Sequence, residues 1–208
     1  MARSPFPEAG GEPSAAASQV PPDSMHDELL LDIADRAIVD GLRNTRAAVA
    51  LPLGLPPELR RAVGSFVSLH VHGELNGCIG SIRTDEPLGE SVARHAWSAA
   101  FADPRLPALR WTDYEHLEIE VSILSPLTPV EAPSRDSLLG ALEPGVDGLL
   151  IAAGARQAVF LPTVWRQLPT ADAFVSHLFR KAGLDSSSWP VGLRAHRFTA
   201  REITRDAA

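Results

Sequence analysis

Residues 116–124 alternate without a break. Leu117, Ile119, Val121 and Ile123 fall on one side, and Glu118, Glu120 and Ser122 on the other. A period of two is the signature of a β-strand, and one wholly apolar side calls for a sheet covered on that face. Residues 66–71 repeat the pattern, with Val67, Leu69 and Val71 opposed to Phe66, Ser68 and His70. Glycines at 73, 77 and 80 then punctuate the chain, where the backbone needs positive φ or close approach to another group. A turn at Gly73 followed by a strand through Cys78 predicts a hairpin.

Other stretches carry the helical period. Leu30, Ile33, Ala34, Ala37, Ile38 and Leu42 recur at three- and four-residue spacing, with Ser24 or Asp27 as the start signal. Residues 87–101 suit a helix with proline near its first turn, ended by Asp103-Pro104-Arg105. Residues 170–182 predict another, with Thr170 as N-cap, Asp172 in the first turn and Gly183 as the stop. Pro52, Pro56 and Pro57 make a loop, with a helical turn over 58–63. Pro126, Pro129 and Pro133 make a long connection. Residues 148–153 and 157–161 form a second hairpin about Gly154, and 193–203 a final strand. The sum is an α+β chain with a largely antiparallel sheet and flanking helices.

With 208 residues the length suits one domain with at most a small second lobe. Residues 1–25 are rich in Pro, Ala, Ser and Gly and lack the apolar core of a secretory signal; a disordered tail is expected there. The domain is expected over 26–205, with 206–208 as a short tail. No apolar run is long enough to span a bilayer. A net charge of −7 argues against a broad nucleic-acid surface, and no aromatic pattern is interleaved with basic residues. Trp97, Trp111, Trp165 and Trp189 are expected in the core or lining a cleft. Cys78 is the only cysteine, so no internal disulfide and no multi-cysteine zinc site can form; a reducing cytoplasm fits. No cofactor is expected. The single lysine, Lys181, lies in an ordinary helical context.

Six segments in order carry a family resemblance. They are Leu75-Asn76-Gly77-Cys78-Ile79-Gly80-Ser81, Ala100-Phe101-Ala102-Asp103-Pro104-Arg105, residues 117–124, Gly145-Val146-Asp147-Gly148-Leu149-Leu150, Phe160-Leu161-Pro162 and Lys181-Ala182-Gly183-Leu184. Together they resemble the AMMECR domain family, whose signature is usually written L-R-G-C-I-G. The resemblance spans about residues 26–204. It implies a two-lobed architecture with the cysteine motif near a cleft. It also implies a place beside a Memo-type protein and a radical S-adenosylmethionine enzyme, as the A component of an AmmeMemoRadiSam system. Asn76 stands where the family usually has Arg, so a cation is missing there unless Arg83 or Arg105 supplies one through space.

Two readings of the motif follow. In one, Asn76, Gly77, Ile79, Gly80, Ser81, Asp103 and Arg105 shape a cleft that binds a ligand or partner. In the other, Cys78 is a nucleophile or carrier. That role needs a positive environment or a base, with His70, His72, His95 and His116 as candidates and Glu118 or Glu120 to orient one of them. Of these, His70 and Glu120 are the candidate catalytic partners of Cys78. Against chemistry stands Cys78 as a small apolar filler. His70, His72 and Cys78 also raise a zinc site, against which stand two solvated histidines at a hairpin end. For Glu118 and Glu120 the alternative to acid–base work is a solvated sheet face, and for Asp103 and Arg105 a simple turn with an Arg–carboxylate pair.

Overall fold

The alternating stretches at 66–71 and 116–124 become neighbouring strands in a computed structural model that describes residues 24–43, 54–185 and 189–207. Most of the expected tail, and part of the expected loop at 52–57, lie outside the described residues. In chain order the elements are α1 (Asp27–Arg43), β1 (Ser65–Val71), β2 (Glu74–Ser81), α2 (Leu88–Phe101), α3 (Trp111–Tyr114), β3 (Leu117–Leu124), β4 (Thr128–Val130), α4 (Arg135–Ala141), β5 (Gly148–Ala153), β6 (Arg156–Phe160), α5 (Ala171–Lys181), β7 (Arg194–Phe198) and β8 (Ala200–Arg205). They divide into two compact units, residues 1–124 with 201–208, and residues 125–200.

The first unit holds a sheet of order β2-β1-β3-β8. Val67, Leu69, Ile119, Val121 and Ile123 form its apolar face, buried with Leu30, Ile33, Ala34, Ala37 and Ile38 of α1 and Val92, Ala96 and Ala99 of α2. Each fully buried Leu, Ile or Val contributes about 1.5–3 kcal/mol relative to exposure, so this face fixes which side of the sheet the helices take. Asp27 and Glu28 occupy the first turn of α1, where they favour the positive end of the helix dipole. They also pair with Arg201 and Arg205 of β8.

The second unit holds a sheet of order β4-β7-β5-β6. Leu149, Ile151, Ala158 and Ala195 pack with Phe174, Val175, Leu178 and Phe179 of α5. Trp165 stacks on Phe174 with ring centroids 3.9 Å apart, and its indole N–H donates to the Asp147 carbonyl at 2.6 Å. Thr170 caps α5 by accepting from the Ala173 N–H, and Gly183 ends it at φ +68°.

Three expectations change. The long connection after residue 124 contains β4 and leads into α4; a three-residue strand centred on Pro129 is too short to show alternation. The final strand at 193–203 is two strands in two sheets. They part at Thr199, whose N–H donates to the Ser125 hydroxyl and whose carbonyl accepts from the Ser125 N–H. The polar face of β3 is not openly solvated, because Glu118 and Glu120 are half-buried and Ser122 is 1% exposed. Trp111 is exposed, while Trp165 is buried and Trp97 and Trp189 are partly so. Among the described residues no helix is long and apolar enough to cross a membrane.

One buried polar chain ties α2 to β1. Ser91 donates to the Leu88 carbonyl, Ser65 sits 3.4 Å from Ser91, and His95 Nδ1 lies 3.3 Å from Ser65 Oγ. Arg94 Nη2 lies 3.2 Å from His95 Nε2 and also holds Glu86 at 2.7 Å. A guanidinium only donates, so Nε2 is the acceptor and the imidazole proton sits on Nδ1, facing Ser65. Burial first, then the Arg94 charge, lowers the His95 pKa from 6.5 to about 4, with Glu86 opposing. Between those values the unfolded chain binds the proton and the folded one does not. This contribution is therefore complete above pH 6.5 and declines as pH falls towards 4, by about 3 kcal/mol in all. The urea midpoint is expected to fall from pH 7 to pH 4.5, and His95→Gln to flatten that part of the profile; an unchanged slope would remove His95 from the account.

Candidate functional site

The Leu75–Ser81 motif is β2, an edge strand, and its position depends on one extra residue. His72 and Gly73 both have positive φ, +54° and +79°, as a two-residue type I′ turn requires. Counting outward from that turn would pair Leu69 with Asn76 and Val67 with Cys78. Instead the register runs Val71↔Glu74, His70↔Leu75, then Leu69↔Gly77 and Ser68↔Cys78, leaving Asn76 as a β-bulge. The bulge turns Cys78 onto the outer face with Phe66, Ser68 and His70, and turns Gly77 and Ile79 towards the helices.

Two glycines are fixed by contact. A Cβ on Gly77 would stand 2.0 Å from the Ala99 carbonyl oxygen of α2, and one on Gly80 would stand 2.2 Å from the Phe66 ring. The first gap lets α2 lie against the strand that carries the motif. The second lets an aromatic ring cover it. The Asn76 Oδ1 and Ser81 Oγ atoms are buried with no hydrogen-bond partner.

Asp103-Pro104-Arg105 closes the open edge of β2. Asp103 Oδ2 accepts from the Cys78 N–H at 3.0 Å, and Arg105 Nη2 donates to the Cys78 carbonyl at 2.9 Å. Arg105 also grips Asp103 through Nε at 2.9 Å, through Nη2 at 2.6 Å and through its own backbone N–H at 3.1 Å. The two side chains thus pair with one residue of the edge as a neighbouring strand would. The Asp103 side chain is 1% exposed and that of Arg105 61%. The Arg105 hydrogen bond, helped by the Cys78 N–H, holds the Asp103 carboxyl well below the usual carboxylate range against its burial. Asp103 in turn raises the Arg105 pKa, and a charge on Cys78 would add to that effect.

Of the expected site residues, the structure brings Cys78, Asp103 and Arg105 together. Ser68, which the residue pattern does not single out, donates its hydroxyl to Cys78 Sγ at 3.4 Å. His70 lies one register step along the same face, and Glu120 lies across from Ser68 on β3. Among the described residues neither His70 nor Glu120 hydrogen-bonds to Cys78. His95 is enclosed in the α2 network. The zinc arrangement of His70, His72 and Cys78 does not form, since among the described residues no group of three such side chains gathers to hold a metal. His72 sits in the turn, where its ring lies 4.1 Å from that of His116.

Two α+β units, each built on a four-stranded sheet, and a glycine-flanked cysteine held on an edge strand define the class of protein. Residues 31–203 match the AMMECR1 family, and the chain belongs to it. A protein of Methanothermobacter thermautotrophicus is 34% identical over 179 residues, covering 85% of this chain and 93% of its own. One of Thermofilum pendens is 33% identical over 189 residues, covering 83% and 86%. The crystal structure of an uncharacterized protein from Pyrococcus horikoshii superposes with a TM-score of 0.82 at 29% identity, over 89% of this chain and 94% of that one.

Two substitutions test this construction by urea unfolding. Asp103→Ala leaves the Cys78 N–H and the Arg105 fork without their acceptor and is expected to cost about 2–4 kcal/mol. Gly77→Ala drives a methyl into the Ala99 backbone and is expected to cost about 1–3 kcal/mol. A change within about 0.5 kcal/mol in either variant would contradict the assigned contact.

Proposed function

We propose that the protein is an accessory component that works in the cytoplasm beside a Memo-type protein and a radical S-adenosylmethionine enzyme. In this reading the outer face around Leu75–Ser81 receives a ligand or partner. The observation that carries it is the bonding of Cys78. Its backbone N–H and carbonyl are held by Asp103 and Arg105, its thiol meets the Ser68 hydroxyl and the Arg105 guanidinium, and among the described residues no histidine or carboxylate hydrogen-bonds to the sulfur as a base. That is a rigid, shaped surface without the nucleophile–base contact that covalent catalysis employs. The family resemblance supplies the neighbouring proteins.

A second reading rests on Arg105. Its cation lies within electrostatic reach of the thiol, and a nearby positive charge is one of the features that activates cysteines. In that reading Cys78 is the nucleophile or carrier of a cysteine-dependent enzyme acting on a small molecule or a protein. The alkylation rate of Cys78, the only thiol, followed against pH beside a denatured control, separates the two. The binding reading expects the native thiol to react no faster than the denatured one at neutral pH. It also expects Cys78→Ser to keep its capture of the purified Memo-type protein or radical enzyme from the same genome. A native rate above the denatured rate, with function lost in Cys78→Ser, would favour the enzyme. Absence of any capture by the wild-type chain would overturn the accessory role.

A further inference from the structure

Most carboxylates near the first unit's helices have a cation or a hydroxyl. Asp27, Glu28 and Asp32 meet Arg201 and Arg205, Asp35 meets Tyr114, and Glu86 meets Arg94. Glu118 and Glu120 do not follow this pattern. Both are half-buried on the outer face of β3, and among the described residues neither has a hydrogen-bond or ion-pair partner. They stand about 6.6–6.8 Å apart along the strand, the distance of one alternation. Partly desolvating two like charges without a counter-charge is unfavourable, so the face is incomplete electrostatically.

Two further observations on the same face point to what completes it. Ser122, the next residue in the alternation, is 1% exposed, and its hydroxyl has no hydrogen-bond partner. Phe66 is directly opposite Ser122, and its half-buried ring lies over Gly80. A hydroxyl, two carboxylates and an aromatic face are the groups that receive an ammonium, which offers three N–H donors and is attracted to a ring face. The Leu75 side chain, exposed beside His70, adds apolar surface to the same side.

We infer that the outer face of β1 and β3 binds a small organic cation, a primary ammonium on a short apolar body, held between Glu120 and Ser122 with Phe66 against its carbon chain and with Glu118, one alternation further on, adding negative charge. This deepens the reading of that face as the functional one and rests on it.

Calorimetric titration of the full chain with n-butylammonium chloride, at constant ionic strength and with sodium chloride as the control salt, tests the site. Saturable one-site uptake is expected. Glu120→Gln is expected to weaken it about tenfold or more, the equivalent of one charge-assisted hydrogen bond, and Glu118→Gln by a smaller factor. Phe66→Leu is expected to weaken it severalfold, and Asp136→Asn in the other unit to leave it unchanged. Thermal melts identify any variant that fails to fold, and each substitution is read separately. No saturable uptake, or uptake by Glu120→Gln equal to that of the wild-type chain, overturns the inference. Uptake of a lysine-containing peptide without uptake of butylammonium also overturns it, in favour of a protein side chain. No partner protein is present in the titration, so its failure and the failure of partner capture are independent results.

Discussion

The bulge at Asn76 decides what the motif presents. A strand has a period of two, so one inserted residue exchanges its faces. Without the bulge Cys78 would lie opposite Val67 and enter the apolar layer under α2. With it, Cys78 lies opposite Ser68 and faces outward, while Gly77 takes the inward place. Only glycine fits there, because the Ala99 carbonyl occupies the space a side chain would need. The close approach of α2 and the outward aim of Cys78 are therefore one constraint. The Asp103–Arg105 turn lies just beyond the end of the same helix, and its side chains complete the edge strand at Cys78.

Side chains close sheet edges elsewhere too. In the second unit Lys181, the only lysine, donates to the Val159 carbonyl on edge strand β6, at 3.0 Å, and lies over the Phe160 ring. On the opposite edge Pro129 occupies the centre of β4 and has no N–H to offer. Such devices keep unpaired backbone from templating another chain. The difference at β2 is that the closing groups are a buried carboxylate and its exposed guanidinium, which also shape the surface beside the cysteine.

Sequence pattern carried the elements with long alternation or a long helical period. Residues 66–71 and 116–124 are strands, α1, α2 and α5 fall where their apolar spacing places them, and both hairpins turn at the expected glycines. Short elements escaped, since a three-residue β4 and a four-residue α3 are shorter than any period that identifies them. The break at Thr199 was hidden because β7 and β8 run on with only one residue between them. At the site, the motif and the Asp103–Arg105 pair were legible from residue types. The partnership of Ser68 with Cys78 was not, because it exists only through the bulge, and nothing in residue spacing distinguishes a bulged Asn76 from a regular one.

The electrostatics of the outer face follow from which charges are neutralised. Asn76 takes the place of the family's usual arginine, and Arg105 brings a guanidinium to the same stretch of backbone from a neighbouring turn. That cation does not leave the face positive. Asp103 contacts it through two of its nitrogens and balances its charge within the pair. The charges left over are those of Glu120, in register with Cys78 on the next strand but one, and Glu118, one alternation along it. Arg105 therefore acts first as a structural clamp on Cys78, and the carboxylates of this face are left without a counter-charge among the described residues. Its polarity is set by the carboxylates that lack partners, with the visible arginine already spent on Asp103.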